Sequence, residues 1–186
     1  MTASIDQAQD GPSTSAAAKT ASPFSALAAY VGHASPGESA ALARLDPDQP
    51  LRPHEIAALS RALLSAGLQP EALRPVTWQR WALIAHGMAL AGHDGAGRLG
   101  AQFARAGVAE SRVTKLLTAR GDAFVQLLPR VLRLLASKNV RPNWHELGPL
   151  VLKESSAEHD DIEKSEEIRL RIAGAYFSEQ ARKAAV

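Results

Sequence analysis

Between Arg98 and Arg141 the apolar residues fall three and four apart. Val113, Leu116 and Leu117 show the spacing first, and Phe124, Leu127, Leu128, Val131, Leu134 and Leu135 extend it. That is the period of an α-helix with one buried face; a half-buried strand would alternate. The opposite face of the longer run carries Gln126, Arg130, Arg133 and Ser137. The same segment holds nine basic residues against two acids, net +7, in a chain whose total is only +2. A basic block on an otherwise acidic chain predicts one surface facing a polyanion.

The rest of the composition agrees with helices. Of the 186 residues, 46% are apolar but only 5% aromatic, Ala and Leu dominate, and no segment alternates apolar with polar. The expected fold is therefore all-α: a compact helical bundle or two small helical lobes, preceded by a disordered N-terminal tail. The tail is expected over residues 1–22, rich in Ser, Thr, Ala and Gln with little to bury, and the helical domain over residues 23–186. No cysteine is present, so disulfides, thiolate metal sites and a cysteine nucleophile are excluded. No apolar run reaches the ~20 residues of a membrane span. Asp6 and Asp10 stand where a signal peptide would be basic, and a soluble, cytoplasmic protein is expected.

Gly and Pro punctuate the helices. They are expected over Phe24–Tyr30, with Ser22-Pro23 as its start, and over Glu38–Leu45 after a break at Pro36-Gly37. Pro53–Gly67 follows, with Ile56, Leu59, Leu63 and Leu64 inward and Gly67 as a stop. Pro75–Ala91 buries Trp78, Trp81, Ala82, Ala85 and Met88, with the tryptophans as core residues and not base-stacking platforms. Leu99–Ala106 turns Leu99 and Phe103 inward, and Glu110–Ala119 leaves Arg112 and Lys115 outside. Gly121 should end that helix and Asp122 cap Ala123–Lys138, which Pro129 interrupts. Asn143 and Glu146 have the spacing of a capping box for Trp144–Leu152. An acidic, solvated stretch from Glu154 to Glu167 leads to a last helix, Ile168–Ala184.

Signs of chemistry are sparse. Gly95, Gly97 and Gly100 match G-x-G-x-x-G, but the preceding segment is helical where a dinucleotide fold needs a strand. The histidines form neither H-x-x-x-H nor HEXXH, and His86 and His93 are two helical turns apart. His159-Asp160 lies in the acidic run with no other His–Asp cluster nearby. The chain is thus expected not to be an enzyme, with no catalytic residue, no metal and no cofactor. Gln102–Leu117 has a sharper pattern, short helix, Gly turn and a second helix bearing Ser111, Arg112 and Lys115, which is that of a helix-turn-helix. A DNA-binding regulator using residues 102–117 is the alternative reading.

Five segments in order carry a family resemblance: AALARL (Ala40–Leu45), the Trp-bearing helix near Trp78, LGAQFARAGVAESRVTKLLTARGD, LLPRVLRLLASKNVRPNWHELGPLVL, and IRLRIAGAYF (Ile168–Phe177). Over roughly residues 24 to 180 the chain resembles the CasB family, the small subunit of the type I-E CRISPR Cascade. It departs from that pattern at Arg112-Val113, where Arg-Phe is usual, in a single Arg44 where two arginines are common, and in the acidic stretch. The resemblance implies an all-α, non-enzymatic subunit, present as two copies along a guide-RNA complex. Its partners would be the backbone and large subunits, guide RNA and target DNA, and a second copy of itself, with no membrane. Its role would be to hold the R-loop open by contact with the displaced non-target strand. Such binding ignores sequence and needs a basic groove, since small backbone contacts tip a nearly balanced strand exchange. The candidate nucleic-acid-binding residues are Arg98, Arg105, Arg112, Lys115, Arg130, Arg133, Lys138 and Arg141.

Overall fold

The computed structural model describes residues 22–46, 49–154, 156 and 158–185, so the expected tail over residues 1–22 lies, but for Ser22, outside the described residues. Those residues form an all-α protein with no strand among them. The helices are α1 (Pro23–His33), α2 (Pro36–Ala43), α3 (Pro53–Ser65), α4 (Pro75–Ala91), α5 (Leu99–Arg105), α6 (Glu110–Thr118), α7 (Gly121–Ser137), α8 (Trp144–Lys153) and α9 (His159–Ala184), with a 3-10 turn at Pro70–Ala72. None of these helices is long and apolar enough to cross a membrane.

α1 to α4 each begin on a proline, whose fixed φ suits the first helical position and whose missing N–H costs nothing there. Pro36 therefore opens α2 instead of breaking the chain, and Ser35 Oγ accepts from the Glu38 N–H at 3.4 Å. α4 is the axis of the molecule: every residue from Trp81 to Met88 is buried, and α1, α2, α3, α7 and α8 pack around it. Trp81 stacks on Phe24 at 5.6 Å, and the Trp78 indole N–H donates to the Pro70 carbonyl. Both tryptophans thus pack within the fold. Gly87 lets the Trp144 ring lie directly on α4, because a Cβ there would sit 2.5 Å from that ring. Trp144 completes its polar needs by donating from Nε1 to the Gly92 carbonyl at 2.9 Å.

Several expectations change at the edges of elements. Leu59 and Leu63 are buried as expected, but Ile56 and Leu64 are exposed at 43% and 59%, and Ala58 and Ala62 complete the inward face of α3. The buried positions Glu55, Ala58, Leu59, Ala62 and Leu63 recur three and four apart, so they form one stripe, and Ile56 and Leu64 fall beside it. In α7 the fully buried Leu132 belongs to the core, while Leu127 and Leu134 are only partly covered. Asp122 does not cap α7: Arg120 occupies that position, and Gly121, at φ 54°, opens the helix with its N–H donated to Glu154 Oε1 at 2.8 Å. Asn143 caps α8 as expected, accepting from the His145 N–H at 2.9 Å. Glu146, however, reaches away from α8 and accepts from the Leu99 N–H at 2.8 Å, capping α5. The final helix begins at His159, so most of the acidic stretch is helical.

Candidate nucleic-acid interface

α6 is short and strongly one-sided. Val113, Leu116 and Leu117 are buried, and Arg112 and Lys115 are exposed. Across from them, α7 presents Arg130 beside Leu127 and Val131. Together these residues line a recess of about 450 Å³. Arg130 also borders a second recess of about 430 Å³, which Arg44, Arg133, Asp46 and His86 line from the end of α2, from α7 and from α4. The two recesses thus meet at one arginine, and Arg44, which is not among the eight candidates named from the sequence, joins the group. The signal that could have found it is its place in AALARL, one of the segments that carry the family resemblance.

The remaining candidates lie elsewhere. Arg105 and Arg141 face a third recess of about 380 Å³ with His93, Asp94, Gln102 and Asn139. The stem of Arg141 covers Gly92, where a Cβ would come within 3.3 Å of its Cδ. Arg98 is the exposed residue before α5, and Lys138 the exposed residue after α7; neither lines these recesses. The structure therefore brings Arg112, Lys115, Arg130 and Arg133 together, pairs Arg105 with Arg141, and leaves Arg98 and Lys138 at helix ends. None of the eight forms an ion pair with a described residue, whereas Arg61, Arg120, Lys153, Arg169, Arg171 and Arg182 all do.

A buried charge adds to the apolar packing of α6 against α7. Arg169 of α9, only 3% exposed, pairs with Glu154 and donates to the Leu117 carbonyl at 2.8 Å. Its guanidinium lies 5.3 Å from the centre of the Phe124 ring. Glu154 in turn takes the Gly121 N–H. One ion pair thus ties the end of α6, the start of α7 and α9, and so sets how Arg112 and Lys115 stand relative to Arg130. Glu154 is not the solvated acid its context predicts: it satisfies a cation and an N–H inside the protein, which an isolated buried carboxylate could not do. Arg120, the ninth basic residue of the block, is likewise structural, bound to Glu166 at 2.5 Å.

His93, in the third recess, pairs with His145. His93 accepts the Trp144 backbone N–H on Nδ1 at 3.2 Å, which fixes the neutral tautomer with the proton on Nε2. Burial lowers its pKa first, and the His145 ring, 4.8 Å away centre to centre, lowers it further. The glycines of the G-x-G-x-x-G match form the loop and first turn between two helices; a Cβ on Gly100 would collide with the α9 backbone at Ile172 and Tyr176. His159 and Asp160 are exposed on the first turn of α9, while Asp161 is held by Lys153 and by Ser156 at 2.9 Å. Among the described residues no group of three or more His, Asp or Glu is placed to hold a metal ion.

No curated protein and no solved structure matches the chain. The model of the family described as CRISPR-associated protein Cse2 matches residues 8–177. That span contains every segment on which the resemblance to CasB rests, and all of the described helices but the end of α9. The chain therefore belongs to the CRISPR-associated protein Cse2 family, that of the small subunit of the type I-E Cascade.

Proposed function

We propose that the chain is a non-catalytic Cascade subunit that holds a nucleic-acid backbone along the two recesses joined at Arg130. The strand it holds is the displaced non-target strand, and the effect is a longer-lived R-loop. The observation that carries this reading is the set Arg44, Arg112, Lys115, Arg130 and Arg133, gathered from three helical elements around two recesses that share Arg130. Cations of one sign at that density repel one another, a cost that bound phosphates remove. The bases have few exposed aromatic rings to stack on, so contact is to phosphate and indifferent to sequence. In the complex the chain would meet guide RNA and target DNA, the backbone and large subunits, and a second copy of itself, in the cytoplasm. Arg105 and Arg141 would serve a separate phosphate or a partner subunit.

The helix-turn-helix alternative draws less support, because Ser111, Arg112 and Lys115 line a recess shared with α7. A recognition helix must instead stand clear to enter a major groove.

Binding to labelled single-stranded DNA and random duplex across a salt series tests the proposal. The expected result is salt-steep binding without sequence preference, with log K falling by ~0.7 per phosphate contacted on the single strand per decade of salt. Tight, salt-resistant preference for one duplex sequence would overturn it in favour of the regulator. In the reconstituted complex, Arg130→Glu with Arg133→Glu should shorten R-loop lifetime while leaving guide-complex assembly intact. Collapse of assembly instead would assign those residues to subunit packing.

A further inference from the structure

α9 carries an apolar stripe that no described residue covers. One side of this 26-residue helix packs on α5, α6 and α8 and buries Ile168, Arg169, Ile172, Ala175 and Tyr176. On the other side Leu170, Gly174, Phe177 and Ala181 follow one another four, three and four apart, so they share a face, and all four are exposed. Leu170, at 73%, is the most exposed large apolar side chain among the described residues. Phe177 is exposed at 46%, and its ring stands T-shaped against Tyr176 at 5.3 Å. A single exposed Leu is ordinary, but apolar residues aligned along one helix face are the pattern of helix pairing. A Cβ on Gly174 would meet nothing within 4 Å, so the middle of the stripe is open to close approach.

We infer that this stripe is the face on which two free copies of the chain pair, their α9 helices crossing antiparallel with a twofold axis at Gly174. The charges select this occupant. Towards the start of α9 the same face bears Glu163 and Glu167, and its last turn bears Arg182. An acidic end and a basic end repel a parallel copy and attract an antiparallel one. With the axis at Gly174, Leu170 of each copy packs on Phe177 of the other, and Glu166 and Glu167 come opposite Arg182. Glycine at the crossing lets the two backbones approach, since the side chains at the contact set the distance between helix axes. Glu167 and Arg182 otherwise pair only within α9, with Arg171 at 3.6 Å and Glu179 at 3.0 Å, in exposed contacts weak enough to rearrange. The contact is isologous and closes on two copies. One pair of helices is small against the ~1,200–2,000 Å² of a standard interface, so the association is weak and depends on concentration. It is a state of the free chain and does not rest on the function proposed above: none of Arg44, Arg112, Lys115, Arg130 and Arg133 lies on α9.

Sedimentation equilibrium of the full chain, from micromolar to near-millimolar concentration, tests the pair. The mass should rise from that of the monomer towards twice that value, and more steeply at low salt. Leu170→Lys and Gly174→Leu should each weaken association by about tenfold or more. Both should leave thermal unfolding of the dilute protein nearly unchanged, because Leu170 is exposed and a side chain at Gly174 meets open space. The chain has no cysteine, so an introduced one reports its own neighbours. Gly174→Cys, on the axis, should form a disulfide between copies much faster than Ala181→Cys, which lies two helical turns, roughly 10 Å, along α9. A wild-type chain that keeps the monomer mass throughout would overturn the pair; loss of Leu170→Lys from the reconstituted complex would then assign the stripe to a partner subunit. An association that both stripe variants leave intact would overturn α9 as its face, and equally fast crosslinking at Ala181→Cys would overturn the axis at Gly174. Strand affinity of the dilute stripe variants should equal that of the wild type, so failure of the pair and failure of the function proposed above are read separately.

Discussion

Arg169 shows what a single residue does in this fold. Its charge lies in the interior, where burial lowers the guanidinium pKa and Glu154 pulls it back. The pair holds because both partners have further work: Arg169 donates to Leu117, and Glu154 accepts from Gly121. Removing one member strands the other. Arg169→Met should destabilise the protein by about 3–5 kcal/mol, read as a lower urea midpoint, because Glu154 would be left buried without its cation. Glu154→Gln should cost less, since the amide still accepts the Gly121 N–H. Nucleic-acid affinity should fall in both variants, as the angle between α6 and α7 loosens. Unchanged stability in Arg169→Met would mean that the pair does not hold the α6–α7 corner.

At the scale of elements, α5 depends on its neighbours. A helix this short has little stability of its own. Here the Leu99 N–H is satisfied by Glu146 of α8, and Gly100 lies against the backbone of α9. Gly100→Ala must push α5 off α9, because the obstruction is backbone and cannot rotate away; a loss of about 3 kcal/mol is expected, at the upper end of overpacking costs. Gly174, in the middle of α9, has nothing within 4 Å of a Cβ. Gly174→Ala should therefore stabilise by about 0.5–1 kcal/mol, the ordinary gain of alanine over glycine in a helix. Thermal unfolding of the two variants side by side checks both signs. The capping role of Glu146 illustrates a limit of local patterns: Asn-x-x-Glu has the right spacing for a box, but the carboxylate bonds whichever N–H the fold delivers.

For the whole molecule, the consequence of burying titratable groups is a pH dependence. His86 and His93 are held below the ordinary histidine value chiefly by burial. In the folded state they bind fewer protons than in the unfolded chain, so stability is full above about pH 6.5 and falls as pH drops below it, until the folded values are passed. The carboxylates of Glu38, beside Arg61, and Asp161, beside Lys153, are held below their usual range. Their contribution is lost only later, below about pH 4. Urea unfolding at a series of pH values should show the first decline starting near the histidine range. A protein equally stable at pH values on either side of about 6.5 would contradict it.

Helical periodicity along Phe124–Leu135, the proline and glycine punctuation, and the one-sided charge of the Arg98–Arg141 block are local properties, and each is legible without a structure. They sufficed for the all-α class, for nearly all helix positions, and for a basic surface. The family followed from segments in order, which is also a property of the chain alone. Which basic residues meet was decided only by the packing of α2, α6 and α7. Arg44 comes from a distant part of the chain to stand near Arg130, while Arg98 and Lys138, inside the same charged block, fall at helix ends. The same holds for Glu154, acidic by context yet paired within the core. Periodicity records which way a side chain points from its own helix axis. Burial, pairing and shared recesses depend on where a second helix lies, and that is settled by contacts between residues far apart in the chain.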